Sequence, residues 1–247
     1  MQTVNILGVD IHCANLENIL DTVFEWSQGE IKRSVFYVNA HCFNTAAIDN
    51  LYSQILTEAD LVYPDGISVV WSSKFLGGCP LTKMTGADWI QDFCEFASSK
   101  KIKIYILGGK PGIADQAVKN LRTRYPKINI LGFSDGYFID KSNEQTITEI
   151  NELGPHVLFV GMGTPIQEKW IFEMRNKINV PVCWAVGALF DYLADVERRV
   201  PEWMYSSGLE WLWRLMVDPA GKWKRYIIGN PLFAYRILRQ KFGSSYP

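Results

Sequence analysis

Short apolar runs rich in β-branched residues alternate with longer amphipathic stretches along most of this chain. That alternation constrains the fold more than any other feature, because it is the pattern of a parallel sheet whose strands are joined by crossover helices. Strands are expected at residues 4–9, 34–38, 61–63, 102–107, 128–133, 156–160 and 182–186. Helices are expected at about 66–76, 86–99, 113–125, 142–152 and 167–177. One more begins near Asn15, whose side chain can cap the run Leu16, Ile19, Leu20, Val23, Phe24. Several strands end in glycine-bearing loops, at 108–112 (Gly-Gly-Lys-Pro-Gly), at 161–165 (Gly-Met-Gly-Thr-Pro) and at Gly187-Ala188. Doubly wound sheets bind ligands beyond the carboxyl ends of their strands, so these loops are expected to ring one pocket.

After Ala194 the pattern changes. Pro201 breaks the chain, and aromatic, basic helices are expected over 203–217 and about 220–241, punctuated by Pro219 and Pro231. The expected division is a core of 1–195 and an appendage of 196–247, a size that suits one α/β domain with an added segment. From residue 201 onward there are seven Lys/Arg against three acids, about +4, whereas the first 200 residues carry about −5. The same segment holds Trp203, Trp211, Trp213 and Trp223. A basic, Trp-bearing tail on an acidic body suits an anionic membrane surface, or else a helix pair packed on the core with its charges solvated. Nucleic acid is not an expected partner, since the basic residues are few and the core is acidic.

No apolar run reaches the roughly 20 residues of a membrane-crossing helix, and the N-terminus lacks the basic region of a secretory signal. The expected location is cytoplasmic, at most peripheral on a membrane. Cys13, Cys42, Cys79, Cys94 and Cys183 are odd in number and show no CxxC spacing, so they read as reduced thiols.

Several short constellations can carry chemistry. The 108–112 loop follows a strand and opens a helix, where backbone N–H groups receive a diphosphate and Lys110 adds a charge. It is neither a Walker loop nor a GxGxxG fingerprint, and Gly161-Met162-Gly163 also fails that fingerprint because Ile166 stands at the third glycine. Asp65 follows a short apolar strand between Pro64 and Gly66, a place to hold a general base or, alternatively, to cap the helix that follows. Asn39 and His41 at another strand end can bind sugar hydroxyls or satisfy loop backbone. Thr164 and Pro165 suit the N-cap and first position of a helix, with Gln167 aimed across the strand ends. His12, His41 and His156 are too scattered for a metal site, and the chain has no Asp-x-Asp, so neither a metal nor a cofactor is expected. A nucleophilic hydrolase is disfavoured by the lack of G-x-S-x-G.

Taken together and in order, these strings resemble the WecG/TagA/CpsF glycosyltransferase family. The resemblance is carried by Val38-Asn39-Ala40-His41, Asp60-Leu61-Val62-Tyr63-Pro64-Asp65-Gly66, Thr85-Gly86-Ala87-Asp88 and Leu107-Gly108-Gly109-Lys110-Pro111-Gly112. It continues through Asp135-Gly136-Tyr137-Phe138, Gly161-Met162-Gly163-Thr164-Pro165-Ile166-Gln167-Glu168 and Gly187-Ala188-Leu189-Phe190-Asp191-Tyr192. Arg199-Val200-Pro201-Glu202-Trp203 and Gly208-Leu209-Glu210-Trp211-Leu212-Trp213-Arg214-Leu215 complete it, so nearly the whole chain is covered.

The resemblance implies a Rossmann-like core with helices on both faces and a C-terminal helical appendage. It also implies a metal-independent, inverting transferase. The donor would be a UDP-sugar, often of the N-acetylmannosamine type, and the acceptor an undecaprenyl-diphosphate-linked sugar of teichoic acid or cell-surface polysaccharide synthesis. By position, Asp65 is the implied base, and Tyr37, Asn39, His41, Thr85, Gln167 and Arg214 are implied substrate contacts. Gly108, Gly109, Lys110, Gly136, Tyr137, Gly161, Gly163, Thr164, Asp191, Lys224 and Arg225 are the implied nucleotide and diphosphate contacts. The implied appendage closes over the site and docks on the inner face of the plasma membrane, and a homo-oligomer coupled to that docking is a further expectation. Two departures stand out: Tyr37 where the family often has threonine, and Ala220-Gly221 where it tends to have arginines. Lysine would be a poorer bidentate substitute there. The alternative from another class is a non-catalytic nucleotide- or phosphate-sensing module with a basic, partner-binding tail.

Overall fold

The computed structural model of the chain describes residues 1–136, 142–196 and 200–243. In chain order the elements are β1 (Thr3–Ile6), β2 (Val9–His12), α1 (Leu16–Ser27), β3 (Arg33–Val38), α2 (Ala40–Ala46), α3 (Asn50–Thr57), β4 (Leu61–Pro64), α4 (Ile67–Leu76), α5 (Gly86–Lys100) and β5 (Lys103–Gly108). There follow α6 (Ile113–Arg124), β6 (Asn129–Ser134), α7 (Ser142–Leu153), β7 (Val157–Gly161), α8 (Ile166–Met174), β8 (Val182–Ala185) and α9 (Leu189–Leu193). The C-terminal segment comprises α10 (Glu202–Ser206), α11 (Glu210–Val217), α12 (Pro219–Trp223), a π-helical turn (Lys224–Ile228) and α13 (Gly229–Phe242).

Among the described residues, six strands in the order β4-β3-β8-β7-β5-β6 form one wholly parallel sheet. This is the expected Rossmann-like core. Alternate residues of a strand feed opposite faces: Val157 and Phe159 join one buried cluster, Leu158 and Val160 the other. Both faces are therefore covered by helices, which is why these strands read as unbroken apolar runs. The first cluster centres on four aromatic rings. Trp89 stacks on Trp184 with centroids 4.5 Å apart, and Phe93 lies 4.9 Å from Phe159. Trp184 also donates through Nε1 to the Tyr63 hydroxyl at 3.2 Å, which ties β8 to the end of β4.

The structure departs from the expectations in a few places. Residues 4–9 are not a strand of the main sheet. Leu7 (φ 50°) and Gly8 (φ 87°) form a two-residue turn, so β1 and β2 pair as an antiparallel hairpin. His12 Nδ1 accepts from the Val62 backbone and anchors that hairpin beside β4. Helices α2 and α3 have only seven and eight residues, too few for their periodicity to register in the sequence. Gly208, at φ 71°, splits the helix expected over 203–217 into α10 and α11. The five cysteines are not five separate thiols: Cys13 and Cys79 pair as a disulfide with Cα atoms 6.2 Å apart, while Cys42, Cys94 and Cys183 are free and buried. Their separation of 66 residues hides the pairing from a spacing rule, and Gly78, next to Cys79, packs closely on Val4 of the hairpin that leads to Cys13.

The aromatic cluster makes a stability expectation. Trp184→Ala removes a fully buried ring and its neighbours' contacts, so it should lower unfolding stability by about 3–5 kcal/mol in urea titration. A loss below about 1 kcal/mol would contradict this packing.

Candidate active site

Asp65 sits where the parallel sheet ends. β4 is buried along its whole length, and the Asp65 N–H donates to the Val38 carbonyl at 2.9 Å, carrying the β3–β4 pairing one residue further. The residue does not cap α4, as one reading of the sequence allowed: the cap is Gly66, with no side-chain bond. Asp65 Oδ2 instead accepts from Asn39 Nδ2 at 3.0 Å. Asn39 is the N-cap of α2, and its Oδ1 accepts from the backbone N–H groups of His41 and Cys42 at 3.0 and 3.2 Å. That occupation orients the amide, since the oxygen is held by donors and the NH₂ must face Asp65. Of the two roles open to Asn39, it therefore satisfies its loop, and it positions the carboxylate as well.

The carboxyl group opens to a cavity of about 620 Å³ but is otherwise enclosed by protein. Burial, the largest cause, pushes its pKa up to about 7, and the Asn39 bond opposes that shift. Glu210 adds to the rise, while Arg214 and Arg225 hold it back. His41 lines the same cavity, and burial followed by the charge of Arg225 lowers its pKa to about 4, so its imidazole is neutral at pH 7.

Residues from the C-terminal helices complete the walls. Tyr205, Glu210, Arg214, Arg225 and Tyr226 line the cavity with Tyr37, Asn39, Asp65 and Thr85. Glu210 joins the two parts: Oε1 accepts from Arg214 Nε and Nη2 at 3.2 and 3.0 Å, and Oε2 lies 3.7 Å from Lys83 Nζ. Tyr205 donates to Asp88 Oδ2 at 2.7 Å, and that same oxygen accepts from the Thr85 hydroxyl at the start of α5. Lys83 Nζ stands 3.4 Å above the Tyr205 ring. Lys83 and Tyr205 lie in no motif of the sequence, although the quoted Thr85–Asp88 string lies two residues from Lys83, and Glu210 lies in the quoted 208–215 string without a role assigned to it. Arg225, in the π-helical turn, lines the cavity, whereas Lys224 lies against the Trp223 ring. Ala220 and Gly221 sit in a turn capped by Asp218, whose Oδ1 accepts from the Gly221 N–H.

A second group lies beside this cavity, at the carboxyl ends of β5, β6 and β7. Gly108 pairs with Gly161, and a side chain on Gly108 would collide with the Gly161 carbonyl. Gly136 N–H donates to the Gly109 carbonyl at 3.0 Å. Gly108, Gly136 and Gly161 thus let three strand ends approach closely, and Gly109, Lys110 and Gly163 lie in the adjoining loops. None of the six lines the cavity, nor does Asp191 on α9. Tyr137 falls outside the described residues. Gln167, expected to aim across the strand ends, does not line the cavity. It is fully buried, its Oε1 accepts from the Gly187 N–H at 3.0 Å, and its Nε2 donates to Glu168 at 2.9 Å. Thr164 is not the cap of α8, since its hydroxyl donates to Glu168 Oε1 at 2.9 Å and the cap is Pro165. The Tyr37 hydroxyl lies 3.2 Å from Thr164 Oγ1 and 3.3 Å from Gln167 Nε2, filling the space that a side chain on Gly187 would need. Burial raises the pKa of the Glu168 carboxyl, whose Oε2 has no hydrogen-bond partner among the described residues.

The sequence profile of the glycosyl transferase WecG/TagA/CpsF family matches residues 4–246. The chain belongs to that family. It is 29% identical over 242 residues to the N-acetylglucosaminyldiphosphoundecaprenol N-acetyl-beta-D-mannosaminyltransferase of Bacillus subtilis (strain 168), covering 98% of this chain and 93% of that one. The protein of the same name from Staphylococcus aureus (strain NCTC 8325) is 28% identical over 244 residues, 96% and 93% of the two chains. The one from Bacillus spizizenii is 29% identical over 196 residues, 79% of this chain and 75% of its own.

This glycosyltransferase therefore holds a carboxyl group whose pKa burial raises to about 7, in a cavity that guanidinium groups also line. Among the described residues, no three His, Cys, Asp or Glu side chains gather as a metal set. The Asn39 bond favours the charged form of Asp65, so its removal should raise the pKa further. Carbon-13 NMR of the carboxyl should show Asp65 titrating near 7 in the native chain and distinctly higher in Asn39→Ala. An unchanged or lower midpoint would contradict this geometry.

Proposed function

We propose that the chain transfers a sugar of the N-acetylmannosamine type from a UDP-sugar to an undecaprenyl-diphosphate-linked N-acetylglucosamine. Transfer proceeds with inversion and without a metal, at the inner face of the plasma membrane, in teichoic acid or cell-surface polysaccharide synthesis. The observation that carries this reading is the desolvated Asp65, with a pKa of about 7, sharing one cavity with Arg214 and Arg225. The relatives' names supply the acceptor and the sugar.

In this mechanism Asp65 takes the proton from an acceptor hydroxyl while that oxygen attacks the anomeric carbon. The carbon–oxygen bond to UDP breaks on the opposite face, and the electron pair leaves with the diphosphate. A base near neutrality is matched to this step, because a strongly acidic carboxylate would pull the proton too weakly. The leaving diphosphate is met by Arg225 and Lys83, and by backbone N–H groups of the glycine loops that open α6 and precede α8. Neutral His41 is left to bond a sugar hydroxyl, and Tyr37 and Thr85 shape the wall. The 196–247 segment acts as the closing appendage, and Trp203, Trp223, Ile227 and Ile228, all exposed, suit contact with a bilayer. Among the described residues no helix is long and apolar enough to cross a membrane.

The test is UDP release from UDP-N-acetylmannosamine with a short-chain prenyl-diphosphate-N-acetylglucosamine. Release should persist in EDTA and fall by about 10²–10⁴-fold in Asp65→Asn, while calorimetry still detects UDP. Loss of release in EDTA would overturn the metal-free reading. Undiminished release in Asp65→Asn would remove Asp65 from the role of base.

A further inference from the structure

Helix α4 is patterned inside out. Its buried residues are Val69, Ser72 and Ser73, while Trp71 is 60% and Phe75 43% exposed. Ile67, Trp71 and Phe75 recur four residues apart and so form one stripe down the helix. Ala234 and Leu238 of α13 line the same cavity as that stripe, which is also the cavity of Asp65. One continuous space therefore has cations and a carboxylate at one end and aromatic and aliphatic side chains at the other.

Both walls are held in place. On the α13 side, Phe43 stacks on Phe233 at 5.5 Å, and Gln240 bonds the hairpin through the Leu7 N–H and the Asn5 carbonyl. At the outer end Phe75 meets Phe242 edge-on at 6.1 Å, and Lys241 reaches the Leu76 carbonyl at 3.3 Å. At the inner end Gly208 rests against Ile67 and Trp71. The groove is thus preformed, which spares a ligand the ordering cost of assembling it.

We propose that this groove binds the first isoprene units of the lipid acceptor, with the attached diphosphate directed to Arg214. The inference rests on the transferase reading above and extends it to a lipid subsite between α4 and α13. An anionic head on an apolar chain complements both ends of the space, whereas a nucleotide or a free sugar leaves the Ile67–Trp71–Phe75 stripe unmatched. Burial of successive methylenes makes affinity rise with chain length for as long as the groove continues.

Calorimetric titration of the full chain with dimethylallyl, geranyl and farnesyl diphosphate, below their micellar concentrations, tests this. Affinity should rise by about tenfold or more from the five-carbon to the fifteen-carbon ligand. Trp71→Ser and Leu238→Ser should each cut that gain to about threefold or less. Leu232→Ser, a change at an exposed α13 residue that does not line the cavity, should keep it. No gain in the native chain, a full gain in Trp71→Ser, or an equal loss in Leu232→Ser would each overturn the groove. So would variants that lose only vesicle binding, since the stripe would then face the bilayer instead. A chain-length gain without any sugar transfer would overturn the transferase reading and leave a prenyl-diphosphate site. Transfer without the gain would overturn the groove alone.

Discussion

The hydrogen bond from Asn39 to Asp65 joins two strand ends that sequence places 26 residues apart, and the chemistry of the site depends on it. A carboxylate enclosed by β3, β4 and the C-terminal helices would be driven toward its neutral form by burial alone. The amide, fixed by two backbone donors from α2, resists that drift and stops it near neutrality. Parallel pairing of β3 with β4 brings the two residues level, so the sheet register itself sets the carboxylate's environment.

The C-terminal helices are as much a part of this environment as the core. Glu210 touches Arg214 on one side and Lys83 on the other, and it opposes the ionisation of Asp65 that the two arginines promote. Moving these helices would change the polarity of the cavity along with its shape. The glycine-rich ends of β5, β6 and β7 are a separate construction, in which absent side chains allow close backbone approach. Their loops lie at the same sheet end as Asp65 because every strand runs the same way.

Much of this was legible from the residues. Buried parallel strands announce themselves as apolar runs, and Asn15 caps α1 as expected, with Asn18 closing the reciprocal pair. The hairpin was not, because a single apolar run conceals the Leu7-Gly8 turn. Helices α2 and α3 escaped because two turns carry too little periodicity. The ordered strings picked out Asp65, Asn39 and Thr85, but sequence order could not reveal that Gln167 turns inward to satisfy the Gly187 N–H. Nor could it bring Lys83, Tyr205 and Glu210 together, since their association exists only once α10 and α11 fold back over the start of α5.

The central claim is that Asp65, poised near neutrality by burial and Asn39, acts in its ionised form as the base that takes the acceptor's proton. The dependence of kcat/KM on pH measures this directly, because the profile reports the free enzyme's essential base. The expected profile rises through a single ionisation near pH 7 and then levels, as the carboxyl loses the proton that blocks it. A profile flat from about pH 5 to 8, or one rising only near the ordinary carboxylate range of about 4, would contradict the claim.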